Sequence, residues 1–283
     1  MIPNNIKEKI VDMLSVYHNN KITKLDYKHL SGGCINNSIV INTNFGRYFV
    51  KWNTDTEKSF FSNELKGLKL ISETNTISIP SIIGCDDEFL MLDFIDPEDR
   101  DIVFWHNFGR NLSQLHRCSS TSFGLEYDNY IGTLPQYNQR ELKWSDFFIS
   151  NRLIPQIRMG AFPSNFVKSF DQFFIKIETL FPEENPSLLH GDLWSGNFLI
   201  SNSSPILIDP AVYYGFREMD LAMTRLFGGF DDAFYDAYHE NFPLNKGWEE
   251  RVKICNLYTL LVHANLFGNS YYYQIKDILN RFN

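Results

Sequence analysis

The sequence predicts an α+β protein with a small β-rich N-terminal lobe and a larger helical C-terminal lobe. Two runs rich in β-branched and aromatic residues, Ser38–Asn42 and Arg47–Trp52, flank the turn Asn44-Phe45-Gly46 and predict a hairpin. The apolar run Phe89–Ile95 predicts a buried strand. After this run the apolar residues recur mostly at helical spacing, so the sheet belongs to the first third of the chain.

Helices are predicted where apolar residues lie three and four positions apart. In the first third these are the N-terminal segment up to Tyr17 and Phe60–Ile71. The later helices are predicted at Phe104–His116, Trp144–Arg158, Phe166–Phe181, Asp231–Phe242 and Trp248–Phe267. The polar turn Asp96–Arg100 contains a proline and separates the two regions, so we predict lobes at residues 1–95 and 96–283.

The composition is that of an ordinary globular protein. Of the 283 residues, 43% are hydrophobic and 21% are charged, which argues against disorder. The net charge of −8 argues against general nucleic-acid binding, which needs a basic surface. The chain contains no apolar run of about 18 residues, so we expect no membrane span.

The strongest signal for chemistry is the segment His190–Asn197, HGDLWSGN, followed later by Asp209. Asp192 precedes Asn197 by five residues, and Asp209 lies twelve residues further on. Phosphoryl transfer requires a carboxylate to orient the attacking hydroxyl and oxygen ligands to hold Mg²⁺ on the phosphates of ATP. The protein-kinase catalytic loop, H-R-D-x-x-x-x-N, has the same Asp-to-Asn spacing. The sequence therefore predicts Asp192 as the catalytic base and Asn197 and Asp209 as Mg²⁺ ligands.

Short strand signals surround this segment, which forms a β-loop-β island within the helical region. We expect His190 to order the loop by hydrogen bonding, and Asp220, at the start of a helix, to hold the loop by accepting hydrogen bonds. The alternative is that these residues only cap turns, where Asp and Asn are common. The correct order of Asp192, Asn197 and Asp209 favours the catalytic interpretation.

A glycine-containing loop precedes the predicted hairpin. Its glycines would let the backbone approach the phosphates of ATP closely. By itself a Gly-Gly pair is usually only a turn, but the position before the hairpin favours the phosphate loop. The residues predicted to bind the cofactor here are Gly32, Gly33, Cys34 and Ile35.

The predicted hairpin ends in Lys51, the place of the lysine that reaches the α- and β-phosphates in protein kinases. Glu64 follows on a predicted helix and is expected to pair with Lys51. An isolated Lys or Glu is usually a solvated surface charge, but the ordered set of glycine loop, Lys, Glu, Asp, Asn and Asp favours the kinase interpretation. The end of the buried strand, at Asp93, Phe94 and Ile95, would then offer backbone groups to adenine.

These residues together resemble the fructosamine kinase (ketosamine-3-kinase) family, which is related to the aminoglycoside and choline kinases and has a protein-kinase-like fold. The resemblance implies ATP- and Mg²⁺-dependent phosphorylation of a ketosamine at the sugar 3-hydroxyl, after which the unstable adduct releases the amine in a deglycation repair. The segments that carry it are Gly32–Asn36, Phe49–Lys51, Phe123–Gln139, Trp144–Arg152, Leu189–Asn197 and Ile208–Phe230.

Several residues near the catalytic segment are candidates for substrate contact. Trp194 follows the predicted base by two residues and would form an apolar wall for the sugar or its amine substituent; the alternative is that it only packs the loop. Arg217 and Glu218 are candidates to meet the substrate, with a surface ion pair as the alternative. The family's usual sequence has His where this chain has Phe216.

The four cysteines, Cys34, Cys85, Cys118 and Cys255, form no C-x-x-C pair. A disulfide framework or a zinc site is therefore not expected, and a reducing, cytoplasmic location fits. Cys34 lies within the predicted phosphate loop, where neighbouring amides and cations would favour the thiolate. We therefore expect either a monomer or a homodimer linked reversibly through Cys34; an inert thiol is the alternative.

Two other functions remain open from the sequence. The first is a kinase of another amine-bearing alcohol, such as an aminoglycoside or a choline-like compound. The second is a nucleotide-binding module without activity. The presence of every predicted phosphoryl-transfer residue argues against the second.

Overall fold

The computed structural model describes residues 2–30 and 36–282. The phosphate-loop prediction on Gly32, Gly33, Cys34 and Ile35, and with it the redox hypothesis on Cys34, therefore falls outside the described residues.

A five-stranded antiparallel sheet forms the first part of the molecule, with the strand order β1-β2-β3-β5-β4. The predicted hairpin and the predicted buried strand are both present, although the latter ends two residues earlier than predicted. The five strands are β1 (Leu25–His29), β2 (Asn37–Thr43), β3 (Arg47–Trp52), β4 (Ile82–Cys85) and β5 (Phe89–Asp93).

Two helices, α1 (Asn4–Tyr17) and α2 (Phe60–Glu73), cover opposite faces of this sheet. Successive strand residues point to opposite faces. Accordingly, Met91 on β5 belongs to the core cluster that contains the buried face of α1, whereas its neighbour Leu90 packs with Phe61 of α2. The position of α2 is important for function because this helix carries Glu64.

The remainder of the chain is mainly helical, as predicted. The segment predicted as one helix from Trp144 is helical throughout but contains a π-helical stretch, Phe148–Leu153, between α4 and α5. The helices are α3 (Ile102–His116), α4 (Trp144–Phe147), α5 (Ile154–Met159), α6 (Ser164–Leu180), α7 (Glu218–Phe227), α8 (Asp232–Asn241), α9 (Trp248–Phe267) and α10 (Tyr272–Phe282), and a 3-10 turn spans Asn269–Tyr271.

Six short strands form three antiparallel pairs between these helices: β6 with β7, β8 with β11 and β9 with β10. Their bounds are β6 (Asn129–Ile131), β7 (Leu134–Gln136), β8 (Ser187–Leu189), β9 (Phe198–Ser201), β10 (Ser204–Leu207) and β11 (Tyr213–Gly215).

The core of the helical part is built around α9, which is buried along most of its length and contacts α5, α7 and α10. Although α9 has 20 residues, neither it nor any other described helix has the length and apolarity needed to span a bilayer. The predicted α+β class, with a small β-rich part followed by a larger helical part, is confirmed, and the exact division at residues 95 and 96 stays a prediction.

Candidate active site

The catalytic segment lies between two small antiparallel strand pairs. The loop after β8 runs through Asp192 to β9, and the chain returns through β10 to Asp209 before β11 pairs back onto β8. Two backbone hydrogen bonds join the outgoing and returning chain: Ile208 N–H donates to the Asn197 carbonyl at 3.1 Å and Ala211 N–H donates to the His190 carbonyl at 2.9 Å. This topology brings Asp192, Asn197 and Asp209 together.

Asn197 fixes the carboxylate of Asp192. Its Nδ2 donates to Asp192 Oδ2 at 2.9 Å and to the Asp192 carbonyl at 2.8 Å. This use of the amide nitrogen directs Asn197 Oδ1 away from Asp192, and within the described residues that oxygen accepts no side-chain hydrogen bond. The amide therefore orients the candidate base with one end and retains an oxygen for a cation with the other.

The pKa of Asp192 is raised to about 7, first because the carboxyl is shielded from water and then because the Asp209 and Asp220 carboxylates lie nearby; the hydrogen bond from Asn197 opposes these effects. A general base works best when its pKa lies near the working pH. Asp192 therefore has the basicity that suits proton acceptance from a hydroxyl.

His190 and Asp220 hold the backbone of this loop, as predicted from the sequence. Asp220 accepts hydrogen bonds from the main-chain N–H groups of His190 and Gly191 at 2.7 and 2.9 Å and faces His116 Nε2 at 3.2 Å. His190 Nε2 donates to the Ile208 carbonyl at 2.9 Å, and its Nδ1 accepts from the Asp192 N–H at 3.2 Å. Both ring nitrogens of His190 are thus committed to the backbone.

The charge states of these two residues follow from their surroundings. Burial lowers the pKa of His190, so its imidazole stays neutral. Burial alone would raise the pKa of Asp220, but the hydrogen bonds that its carboxylate accepts, first from His116 and also from the Gly191 N–H, help to outweigh burial and leave that pKa below its usual value. Asp220 is therefore a buried anion that organises the loop through its hydrogen bonds to the backbone.

Gly191, where protein kinases have Arg, is required by a close backbone approach. Its φ is +82°, and a Cβ at this position would lie 2.0 Å from the carbonyl oxygen of Ala211. Any side chain would push apart the two chain segments that carry Asp192 and Asp209.

Lys51 on β3 contacts two carboxylates: that of Glu64, its predicted partner, and that of Asp209, the predicted Mg²⁺ ligand. Its Nζ lies 2.5 Å from Glu64 Oε2 on α2 and 2.6 Å from Asp209 Oδ1. Burial alone would lower the pKa of Lys51, but the two carboxylates outweigh burial and raise it, so the side chain is an ammonium. Asp209 itself adopts a left-handed conformation (φ 54°), a strained backbone of the kind that clusters at functional sites.

The donor set fits a magnesium nucleotide better than a free metal ion. The described residues contain no cluster of three or more His, Cys, Asp or Glu side chains able to hold a metal. Mg²⁺ on a nucleotide needs only one or two protein oxygens, since phosphates and water complete its shell. The carboxylate of Asp209 and Oδ1 of Asn197 are such oxygens, and the side chain of Asp209 is 43% exposed.

At the predicted adenine-binding segment, two of the three N–H groups are already used. Asp93 N–H donates to the Ser81 carbonyl at 2.8 Å and Phe94 N–H donates to the Arg47 carbonyl at 3.2 Å. Ile95 follows directly, and in the part of the chain that the structure describes its N–H makes no backbone hydrogen bond. Of the three predicted residues, Ile95 is thus the one with a donor available for adenine.

The structure separates the predicted substrate residues. Trp194 is 38% exposed, and its indole lies over Gly196 in the catalytic loop. Arg217 and Glu218 are buried instead, at 2% and 0% exposure. Their burial argues against substrate contact by either residue, and the alternative of a surface ion pair is wrong because both residues are paired in the interior.

Each of these two residues is buried in an ion pair with a distant partner. Arg217 makes two hydrogen bonds of 2.8 Å to Glu184, and Arg251 donates to Glu218 at 2.6 and 2.8 Å. A buried charge must be paired to be tolerated. Both pairs flank the start of α7 and so fix the helix that carries Asp220.

Phe216, which stands where the family's usual sequence has His, is also buried. Its ring packs against Trp144 at 5.9 Å and Phe181 at 5.1 Å between ring centroids. It is part of the core and does not line the cleft.

Sequence reasoning missed a buried polar network behind the catalytic segment. Gln136 Nε2 donates to the Ala211 carbonyl at 3.0 Å, and Tyr258 OH donates to Gln136 Oε1 at 2.8 Å. Arg152, fully buried, donates to Asn138 Oδ1 at 2.8 Å. The only signal in the sequence was an unusual number of Asn and Gln residues around a short turn, a pattern that is typical of exposed loops.

Comparison with known proteins gives a consistent result. The fructosamine kinase family model matches residues 6–282. A protein assigned to the ketoamine kinases from Enterococcus faecium is 38% identical, covering 89% of this chain and 93% of its own. The chloroplast protein-ribulosamine 3-kinase of Arabidopsis thaliana is 35% identical, covering 89% of this chain and 80% of its own.

Solved structures agree. A crystal structure from Thermobifida fusca assigned to the fructosamine-3-kinases superposes with a TM-score of 0.87 at 30% identity, covering 96% of this chain and 97% of its own. A gentamicin complex of an aminoglycoside phosphotransferase has a TM-score of 0.63 at 14% identity, covering 99% of this chain and 94% of its own. At that identity the second likeness shows the fold alone.

The close approach at Gly191 leads to a stability prediction. We expect Gly191→Ala to lower the free energy of unfolding through backbone strain of about 1–3 kcal/mol and through overpacking against Ala211 of about 1–3 kcal/mol more. Gly268→Ala is the matched control, because Gly268 also has a positive φ (92°) but open space around its Cβ position. Urea unfolding measures the free energy of unfolding of both variants. Equal losses of this free energy would show that the close approach to Ala211 does not contribute.

Proposed function

Because the chain belongs to the fructosamine kinase family, we propose that it transfers the γ-phosphoryl group of ATP to the 3-hydroxyl of a ketosamine. The observation that carries the proposal is the joining of Lys51, Glu64 and Asp209 in one ion-paired group beside the Asp192–Asn197 pair. Among the described residues, this group supplies a candidate base, two candidate Mg²⁺ ligands and a lysine for the phosphates.

In this proposal Asp192 orients the attacking sugar hydroxyl and accepts its proton on the carboxylate. Asn197 keeps that carboxylate in place through its Nδ2. The ammonium of Lys51 neutralises charge on the α- and β-phosphates, and Glu64 holds Lys51 in position. Such fixed charges act without reorganising during the reaction, which is the main source of electrostatic catalysis.

Asn197 Oδ1 and the Asp209 carboxylate would hold Mg²⁺, which when bound neutralises charge on the β- and γ-phosphates. Adenine would lie against the segment Asp93–Ile95, where the Ile95 N–H is the candidate donor. The lobes would meet at this segment, since β5 ends at Asp93 and α3 begins at Ile102.

The substrate would enter beside Trp194, the exposed aromatic residue of the catalytic loop. Its indole offers an apolar surface for the sugar ring or the amine substituent. The names of the relatives support this substrate class, since one is named for ketoamines and another for protein-bound ribulosamine. Phosphorylation at the 3-hydroxyl would destabilise the adduct and release the amine, which is a deglycation repair. We place the reaction in the cytoplasm, because Cys85, Cys118 and Cys255 are all free thiols.

The first prediction concerns the base. Asp192→Asn is expected to lower kcat by about 10²–10⁴-fold, the contribution of a positioned general base, while the Kd of Mg·ATP stays within about twofold because the carboxamide keeps the shape. Coupled ADP release with a fructose-amine and a ribulose-amine measures kcat, and calorimetry measures Kd. Asp171→Asn, on the exposed face of α6, is the control.

The substrate panel also includes choline and an aminoglycoside. Turnover of a ketosamine that disappears in Asp192→Asn establishes the reaction and the base together. If only choline or the aminoglycoside is turned over, the protein is a kinase but the ketosamine assignment is wrong. Tight binding of Mg·ATP without turnover of any substrate would indicate a nucleotide-binding module.

The second prediction concerns the metal. Asp209→Asn is expected to raise the Mg²⁺ concentration needed for half-maximal activity on the order of tenfold or more, since it removes a charged ligand. Because this variant also loses a partner of Lys51, Glu64→Gln is the matched control: it changes the other partner and leaves the Mg²⁺ ligands intact. An unchanged Mg²⁺ requirement in Asp209→Asn, or an equal rise in Glu64→Gln, would contradict the assignment.

The third prediction concerns the substrate wall. Trp194→Ala is expected to raise the KM of the ketosamine by about three- to tenfold, the size of one aromatic contact, and to leave the KM of ATP unchanged. Tyr273→Ala, which removes a 78% exposed aromatic side chain on α10, is the control. If the KM of both substrates rises together, Trp194 packs the loop and does not contact the sugar.

A further inference from the structure

A short hairpin between α3 and α4, formed by β6 and β7, is attached to the chain that follows Asp209. Asn129 Nδ2 donates to the Val212 carbonyl at 2.9 Å, and Gln136 Nε2 donates to the Ala211 carbonyl at 3.0 Å. Asn129 is 5% exposed. Buried amides of this kind fix the hairpin and the Asp209 segment as one unit, since breaking either bond leaves a polar group without water.

The same hairpin is attached on its other side to α2. Asn63 Nδ2, on α2, donates to the Asp128 carbonyl at 3.1 Å, directly before β6. Tyr130 packs its ring against Phe60, with centroids 5.1 Å apart, and its hydroxyl lies 3.0 Å from Ser59 Oγ. Tyr130 thus comes from the far side of the lobe boundary but packs against the core cluster shared by α2 and the sheet.

The start of α2 is arranged for this contact. Ser59 occupies the N-cap position, yet its side chain caps no N–H group of the helix. An N-cap serine normally accepts such a bond and stabilises its own helix. Here the Ser59 hydroxyl pairs with the Tyr130 hydroxyl instead. The start of α2 is therefore stabilised by a contact with the hairpin and not by a cap within the helix.

Helix α2 also touches the Asp209 segment directly. A Cβ at Gly67 would lie 3.2 Å from Val212 Cγ2 and 3.5 Å from Pro210 Cγ. Glu64, on the same helix, holds Lys51, and Lys51 contacts Asp209. The contacts therefore close a ring, from Asp209 through Lys51 and α2 to the hairpin and back to Val212.

We propose that this hairpin is a clamp that holds α2 against the Asp209 segment, so that the Lys51–Glu64 pair is formed without a separate activating partner. Asn63, Tyr130 and Asn129 are then positioning residues for phosphoryl transfer. They act through Glu64 and touch neither ATP nor the sugar. The catalytic role of the hairpin rests on the proposed function. Its effect on Mg·ATP binding can be tested without any sugar substrate.

The test measures the Kd of Mg·ATP by calorimetry. Asn63→Ala is expected to weaken binding about fivefold, the worth of one net hydrogen bond, and to lower kcat with no change in the KM of the ketosamine. Tyr130→Leu, which alters the hairpin and not α2, is expected to act in the same direction. Asn107→Ala is the matched control, since Asn107 Nδ2 also donates to a distant carbonyl, that of Ser203, at 2.9 Å but does not touch α2.

A double-mutant cycle separates a clamp from a merely stabilising contact. In a Glu64→Gln background the Lys51–Glu64 ion pair is already lost, so the hairpin has no ion pair left to position. Adding Asn63→Ala should then weaken Mg·ATP binding by less than about twofold. If Asn63→Ala still raises the Kd of Mg·ATP about fivefold in that background, the clamp is wrong. The clamp is also wrong if Asn63→Ala raises this Kd no more than Asn107→Ala does. Thermal unfolding shows whether each variant is folded. If Asn63→Ala does not fold, the Kd of Mg·ATP measured for Tyr130→Leu decides between the two outcomes.

The two proposals fail separately. If the protein binds Mg·ATP with the expected pattern but phosphorylates no ketosamine, the clamp stands and the proposed substrate is wrong. If ketosamine turnover is present but the hairpin variants bind Mg·ATP like the wild type, the function stands and the clamp is wrong.

Discussion

The buried ammonium of Lys51 is the constraint on which the arrangement of the site depends. A charge at 3% residue exposure requires opposite charge beside it. Its two carboxylates come from different parts of the chain: Glu64 from α2 and Asp209 from the segment before β11. Pairing this one side chain therefore fixes the sheet, α2 and the segment before β11 relative to each other, which is the geometry that phosphoryl transfer requires.

A second buried charge, that of Asp220, fixes the position of the catalytic loop. The carboxylate of Asp220 receives two main-chain N–H groups from that loop, and the two ion pairs at the start of α7 fix the helix on which it lies. Acidic residues in the first turn of a helix are also favoured by the helix dipole. The candidate base Asp192 is thus held by backbone geometry, while its own side chain has Asn197 as its hydrogen-bond partner.

Local pattern was sufficient to predict the hairpin of β2 and β3, the long helices and the triad of Asp192, Asn197 and Asp209, because each depends on spacing within one segment. It did not predict β1, whose residues are mostly exposed, nor the hairpin of β6 and β7, whose polar side chains look like those of a loop. It also misplaced Arg217 and Glu218. Their partners lie 33 residues away along the chain, so their burial depends on tertiary contacts that no local pattern contains.

The same distinction explains why the site residues are easier to recognise than the residues that position them. The chemistry requires particular groups at particular spacings, so Asp192 and Asn197 leave a pattern in the sequence. Positioning requires only that some buried donor meet some carbonyl, as Asn63 meets Asp128 and Asn129 meets Val212. Many residue types and loop lengths meet that requirement. The parts of the site that determine whether Lys51 and Glu64 meet are therefore visible only once the fold has brought them together.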